Sequence, residues 1–351
     1  MKPLRHLSAT EVAAAMPPLA ERLALAERTM RALGSDAEMP PKIGVHPRQP
    51  GSLAHAMPAL LHGDASDGSG DLIGAKWITG FPANPALGLP AYQALVVLND
   101  PLSGDPIAVM DGGAITAQRT AAISGTAIRH FAPWVARRAP ARVAILGAGA
   151  QARSHLPVIG YLLAGARVRI TDTDAARAAA LADEAAGFEG IGSAEAVASV
   201  RDAVEGADVV VSVVSFGPDR QLLEPSWLGP AALFVAVDYD MQAPASLARE
   251  ALFMVDDREQ FLATRSGPTF AGYPDPDATL GEMLRGEAGR DTGSGGLAAR
   301  RGVASGDHGP GTGAGGRVLV SHLGVGLADV VFAAAVLARA EQLGLGRLLP
   351  R

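Results

Sequence analysis

The chain has 351 residues, 48% of them hydrophobic and 19% charged, with a formal net charge of −6. That length can bury a substantial core in two domains, and the acidic balance argues against a nucleic-acid partner, which needs clustered Lys and Arg. The absence of cysteine excludes disulfides, thiolate metal sites and a catalytic thiol, and it fits a cytoplasmic setting. No apolar run approaches the roughly 18 residues of a membrane helix. The opening Met1-Lys2-Pro3-Leu4-Arg5-His6 leads to Glu11, Glu21 and Arg22 rather than into a signal core, so neither membrane insertion nor export is expected.

Residues 8–33 read as a helical region. Ser8 or Thr10 can cap it, Pro17-Pro18 splits it, and Gly34-Ser35-Asp36 ends it. Between 41 and 112, short apolar runs are broken by Gly and Pro. Residues 73–78, 92–98 and 107–110 read as strands, and the turn-rich stretch from Asn99 to Asp105 makes the last two an antiparallel hairpin. Residues 114–131 form an Ala-rich helix containing Arg119. From Arg142 the texture changes to strands (143–146, 168–171, 209–214, 233–237) separated by helices (151–163, 175–186, 193–200). This alternation is the pattern of βαβ units and a parallel sheet. Residues 286–316 hold 12 glycines in 31 positions without apolar periodicity and read as a flexible insertion. A strand at 318–321 and an apolar helix at 327–343 complete the chain.

The strongest chemical signal is the strand 143–146 followed by Gly147-Ala148-Gly149-Ala150-Gln151-Ala152. It has the form G-x-G-x-x-A at the start of a helix. The first glycine permits a tight turn, the second lets backbone approach a pyrophosphate, and the small third residue packs helix on strand. The helix start then offers free N–H groups to the phosphates. Asp172 ends the next strand, 25 residues beyond Gly147. A carboxylate there accepts from ribose hydroxyls and repels a 2′-phosphate, which favours NAD over NADP. Asp174 reads as a helix N-cap.

Beyond this turn, several segments carry a wider likeness: Pro40-Pro41-Lys42-Ile43-Gly44-Val45-His46-Pro47, Gly74-Ala75-Lys76-Trp77-Ile78-Thr79-Gly80-Phe81-Pro82, Ala108-Val109-Met110-Asp111-Gly112, Arg119-Thr120-Ala121-Ala122 and Gly324-Val325-Gly326-Leu327-Ala328-Asp329. Together they resemble the ornithine cyclodeaminase/μ-crystallin family, from about residue 40 to 336. The resemblance implies an α/β fold in which a Rossmann-type, doubly wound parallel sheet is inserted into a discontinuous α+β domain. Residues 1–125 and 317–351 would form the substrate-binding and dimerisation domain, and 126–316 the NAD-binding domain. It implies an NAD(P)-dependent enzyme acting at the α-carbon of a small amino acid or its imine, as a dehydrogenase, imine reductase or cyclodeaminase, and working as a homodimer. The alternative within the family is a dinucleotide-dependent binding protein without turnover.

The same resemblance assigns residues. Lys76, in an apolar strand where an unpaired ammonium is costly, contacts substrate and handles protons. Arg119, whose planar fork suits a carboxylate, holds the substrate and lies with Thr120 beside the cofactor. Lys42 stands where the family often has arginine, with His46 and Arg48 as nearby alternatives. Register aligns the family's catalytic aspartate with Asp240, but Asp238, at the strand's carboxyl end, is the rival for proton handling. It occupies a position that is usually glycine, and the lysine that follows the aspartate in cyclodeaminases is missing. His322 replaces a pocket-lining serine, and Leu323 follows it. Backbone contacts to the cofactor are expected from residues 147–151, Val214, Ser215 and Val237. No metal is expected, because His46, His55 and His62 lack ligand spacing.

Overall fold

In the strand Leu72–Gly80 alternate residues are buried, Gly74 and Lys76 inward and Ile73 and Trp77 outward, as the two-residue period of a strand requires. This strand lies at the centre of the first of two sheets in a computed structural model that describes residues 3–136, 139–288 and 316–351. The expected glycine-rich insertion falls largely on residues outside these. The chain divides into two compact units, Met1–Arg119 with Val325–Arg351, and Thr120–Gly324.

The first unit holds an eight-stranded sheet among the described residues. Its middle is the antiparallel meander Leu53–Leu61, Leu72–Gly80, Tyr92–Asn99 and Pro106–Asp111, which includes the expected hairpin. Leu4–Leu7 extends it in parallel beside Pro106–Asp111 and pairs antiparallel with Arg347–Leu349. Helices Ala9–Ala14, Leu19–Ala32 and Gly326–Gln342 belong to this unit. Ser8 closes a capping box with Glu11, and Pro17-Pro18 separates the first two helices as expected. Gly326–Gln342 buries most of its length, including the acidic Asp329.

The second unit holds an eight-stranded sheet, parallel throughout its described pairs, in the order Ile191–Ala196, Ala166–Thr171, Arg142–Leu146, Val209–Ser212, Leu233–Ala236, Val318–Ser321, Leu252–Val255, Ala278–Thr279. The order reverses between Arg142–Leu146 and Val209–Ser212, the switch point at which open α/β sheets bind ligands beyond their strand ends. The central strands are continuous apolar runs buried on both faces, as parallel sheets demand.

Two expectations are corrected. Residues 193–200, expected as a helix, contain the edge strand Ile191–Ala196 and the start of a short helix, Val200–Val204. Parallel pairing to Ala166–Thr171 overrides the helix preference of its Ala and Glu residues. The strand Val318–Ser321, expected with the front half of the chain, instead sits between Leu233–Ala236 and Leu252–Val255 in the parallel sheet. Its run Val-Leu-Val-Ser, fully buried, suits a slot with neighbours on both sides.

Candidate active site

The first unit builds a buried charge cluster. Lys76 is inward on its strand and 0% exposed. Its Nζ lies 2.6 Å from Asp329 Oδ2, and Arg119 Nε donates to Asp329 Oδ1 at 3.0 Å. One buried carboxylate thus balances two cations, leaving one positive charge uncompensated by that carboxylate. Arg119 Nη1 is buried and has no hydrogen-bond partner among the described residues. Burial drives the Lys76 ammonium down to about 7, Asp329 opposes the fall, and Arg119 and Lys42 add to it. The same field reaches His55 on Leu53–Leu61. Burial first, then Lys42, His46 and Lys76, push its imidazole down to about 4. Lys42 is therefore brought within electrostatic range of Lys76, whereas Arg48 is exposed and enters neither shift.

Asp329 carries no role in the reading of the sequence. Its partner Arg119 is 210 residues away, so only the fold joins them. The available signal was an acidic residue in an otherwise apolar helix, which needs a buried cation to be tolerated.

The second unit carries the glycine turn. Gly147 has φ of +99°, and a Cβ there would come within 2.8 Å of Val213 O. Only glycine combines that conformation with that approach. A Cβ on Gly149 would find only Arg177 Nη2, at 3.6 Å, so space remains above the turn. The helix Ala150–Leu162 starts there without a side-chain cap, and its first amides are available to an anion. Asp172 braces the turn by accepting from Ala148 N at 2.7 Å and Asp174 N at 2.9 Å. Asp174 caps the following helix as expected. Val214 N lies beside the Gly147 turn, and Val237 N donates to Ser212 O. Thr120 and Leu323 are buried and Ser215 is exposed.

The two aspartates after Leu233–Ala236 take different partners because Tyr239 between them is left-handed, with φ of +63°. Without that twist, residues two apart would share a face. Asp240 is fully engaged: Arg220 Nη1 donates to Oδ1 at 2.6 Å and Phe270 N to Oδ2 at 2.7 Å. Asp238 is 2% exposed and accepts one short hydrogen bond from Ser212 Oγ. Its Oδ1 has no hydrogen bond of ordinary geometry among the described residues. Burial pushes the Asp238 carboxyl up to about 7, against the Ser212 hydrogen bond. His322 is 1% exposed and hydrogen-bonded to Ser124 at 2.8 Å. No group of three His, Asp or Glu side chains among the described residues could hold a metal ion, and no described helix is long and apolar enough to cross a membrane.

A Rossmann-type parallel sheet with a glycine turn at a helix N-terminus, in one chain with a unit that buries a Lys–Asp–Arg cluster, defines a dinucleotide-binding α/β protein. Residues 6–294 match the ornithine cyclodeaminase/mu-crystallin family, and the chain belongs to that family. It is 31% identical over 351 residues to the nodulation efficiency protein NfeD of Rhizobium meliloti, spanning 99% of this chain and 98% of that one. It is 32% identical over 222 residues to the ketimine reductase mu-crystallin of Mus musculus, spanning 62% and 66%. The fold is shared with the structure of Thermococcus litoralis Delta(1)-pyrroline-2-carboxylate reductase in complex with NADH and L-proline. The TM-score is 0.79 at 21% identity, covering 98% of this chain and 100% of that one.

Proposed function

We propose that this chain is an NAD-dependent enzyme acting at the α-carbon of a small amino acid or its imine. The observation that carries the reading is the cluster in which Asp329 balances only one of its two buried cations, with Arg119 Nη1 left to donate. Such a site is completed by a ligand carboxylate. The turn at 147–152 fits a dinucleotide pyrophosphate, and Asp172 favours a free 2′-hydroxyl over a 2′-phosphate. When bound, the nicotinamide gives or takes the hydride. Lys76 and Arg119, with Lys42 adding positive charge, hold the carboxylate. Asp238, poised near neutrality, handles the proton at the nitrogen or α-carbon, and Asp240 acts as a structural ion-pair partner. The two retained, titratable groups Lys76 and Asp238 favour turnover over a binding role alone.

The test is cofactor absorbance with a panel of amino acids, keto acids with amines, and cyclic imines. NADH accumulation measured against ammonia release separates dehydrogenase from cyclodeaminase, because the latter recycles its cofactor. No cofactor change and no ammonia with any member would overturn the reading. Asp172→Ala is expected to weaken NADH binding about tenfold through lost ribose contacts, as read by fluorescence titration. An unchanged Kd would remove Asp172 from the cofactor site.

The pH profile follows from Asp238. Below about 7 it is a neutral acid that can donate, and above that it is a carboxylate that can accept. Reductive kcat/KM therefore falls as pH rises through about 7, and the oxidative direction rises over the same range. Lys76 loses its charge in the same window. Asp238→Asn is expected to remove about 10²–10⁴-fold of rate together with one limb of the profile, whereas Asp240→Asn chiefly lowers stability.

The assembly is proposed to be a homodimer that covers the apolar outer face of the first sheet, where Trp77, Leu95 and Ile73 are 46%, 48% and 37% exposed and Trp77 pairs with Leu95. A charge at the centre of such a face disfavours burial. Leu95→Glu should halve the mass measured by light scattering.

A further inference from the structure

The helix Ala175–Ala185 follows the strand that leads into Asp172. Asp174 caps it, accepting from Ala176 N at 3.0 Å and from Arg177 N at 3.2 Å. Arg177 is therefore the third residue of the helix, within the turn that carries the positive end of the helix dipole. A cation is disfavoured there and an acid is favoured. The two capping boxes among the described residues place a glutamate at that position, Glu11 after Ser8 and Glu282 after Thr279. The helix Ala175–Ala185 has no acid in its first turn. Arg177 thus works against the helix that carries it.

The guanidinium instead reaches the glycine turn of the preceding βα unit, within the same compact unit of the chain. Nη2 is the atom that a Cβ on Gly149 would meet, at 3.6 Å. Arg177 is exposed, and its guanidinium makes no hydrogen bond or ion pair with any described residue. Arg153, on the helix that starts at the turn, is committed elsewhere: its Nε donates to both oxygens of Glu184 at 2.8 Å. The acids beside the turn are held by backbone amides, Asp172 by Ala148 and Asp174, and Asp174 by its own helix. A dianionic diphosphate seated on the first amides of Ala150–Leu162 would feel both carboxylates, and Arg177 supplies the opposing charge.

We infer that Arg177 binds the diphosphate of the dinucleotide, with its guanidinium over Gly149 offsetting Asp172 and Asp174. This rests on the dinucleotide reading of the turn and adds a side-chain cation to a cradle of backbone amides. The planar fork matches phosphate oxygens. The group it addresses is the diphosphate and not a 2′-phosphate. Gly149 is where backbone approaches the diphosphate, whereas Asp172 stands at the ribose.

The test uses full-length protein, NADH and NADPH as probes, and fluorescence titration. Arg177→Met should raise the Kd for NADH about tenfold, the low end for a charge-assisted hydrogen bond because the arginine is exposed. The ratio of variant to wild-type Kd should shrink as salt is raised, since salt screens an exposed ion pair. A merely structural role would not give that salt dependence. Arg177→Glu should weaken NADH binding further while its denaturant midpoint stays level or rises, because glutamate suits the first turn of the helix. Affinity and stability then move apart, and misfolding is not the cause of the loss. An Arg177→Met protein with wild-type Kd for NADH overturns the inference, as does one that loses affinity for NADPH alone, which would assign the arginine to a 2′-phosphate. If Asp172→Ala weakens NADH binding and Arg177→Met does not, the dinucleotide reading stands and the role of Arg177 falls. A wild-type protein that binds neither NADH nor NADPH overturns both.

Discussion

Lys76→Met is expected to leave a folded protein whose turnover falls about 10²–10⁴-fold, the range for removing a positioned proton-handling group. Methionine fills the volume of the lysine stem and suits irregular apolar surroundings. The substitution removes one of two cations facing Asp329, so the carboxylate keeps Arg119 at 3.0 Å and the cluster is neutral. Folding should tolerate this better than the native excess charge, because a buried ion pair replaced by apolar volume is often neutral or stabilising. Binding of NADH, which rests on the turn at 147–152, should be unchanged. The measurement is steady-state kcat and KM beside a denaturant titration. Near wild-type kcat in a folded Lys76→Met protein would place the chemistry elsewhere.

The second large effect is the reverse case. Asp329→Ala removes the only carboxylate among the described residues that pairs with Lys76 and Arg119 and leaves two cations buried side by side. Breaking a buried pair by deleting one partner costs about 3–5 kcal/mol, a large part of an ordinary stability margin. Lys76 would shed its proton to relieve the repulsion, since Asp329 is the cause that holds its proton in place. Asp329→Ala is therefore expected to be unstable in denaturant. The milder Asp329→Asn should shift the titration of Lys76 further below 7, moving the pH profile to lower pH. An Asp329→Ala protein of wild-type stability would show that the cluster exchanges its charge with solvent.

Where sequence determines structure locally, the elements are legible. The strand Arg142–Leu146, the glycine turn and Asp172 follow from backbone sterics and a 25-residue spacing. The hairpin around 99–105 follows from turn residues, and the Ser8 cap from its box with Glu11. Where partners are distant, little could be read. Leu53–Leu61 hides its alternation behind Ala, Met and Pro58, and it is defined by nine paired positions along Leu72–Gly80. Leu4–Leu7 becomes a strand beside residues about a hundred and more than 340 positions away. Val318–Ser321 was legible as a strand, but nothing in four residues says which sheet receives it.

The candidate site divides in the same way. Lys76, Arg119 and the glycine turn were legible as residue types in telling neighbourhoods. The charge balance at Asp329, the hydrogen bond between Ser124 and His322, and the different fates of Asp238 and Asp240 were not. Each depends on burial or on one left-handed residue, Tyr239, which no periodicity announces.

One peptide bond separates Lys76, enclosed and ion-paired, from Trp77, which is 46% exposed. A strand presents successive side chains to opposite faces, so a one-residue slip against Leu53–Leu61 would carry an indole into contact with Asp329 and an ammonium into water. Apolar packing alone would police such a slip weakly here, since both faces of the strand carry small or greasy residues. The ion pair between Lys76 and Asp329, at 2.6 Å, adds to that weak preference, because the slip would break it and leave a bulky indole in its place, so the group proposed to bind substrate also helps to set the pairing of the central meander.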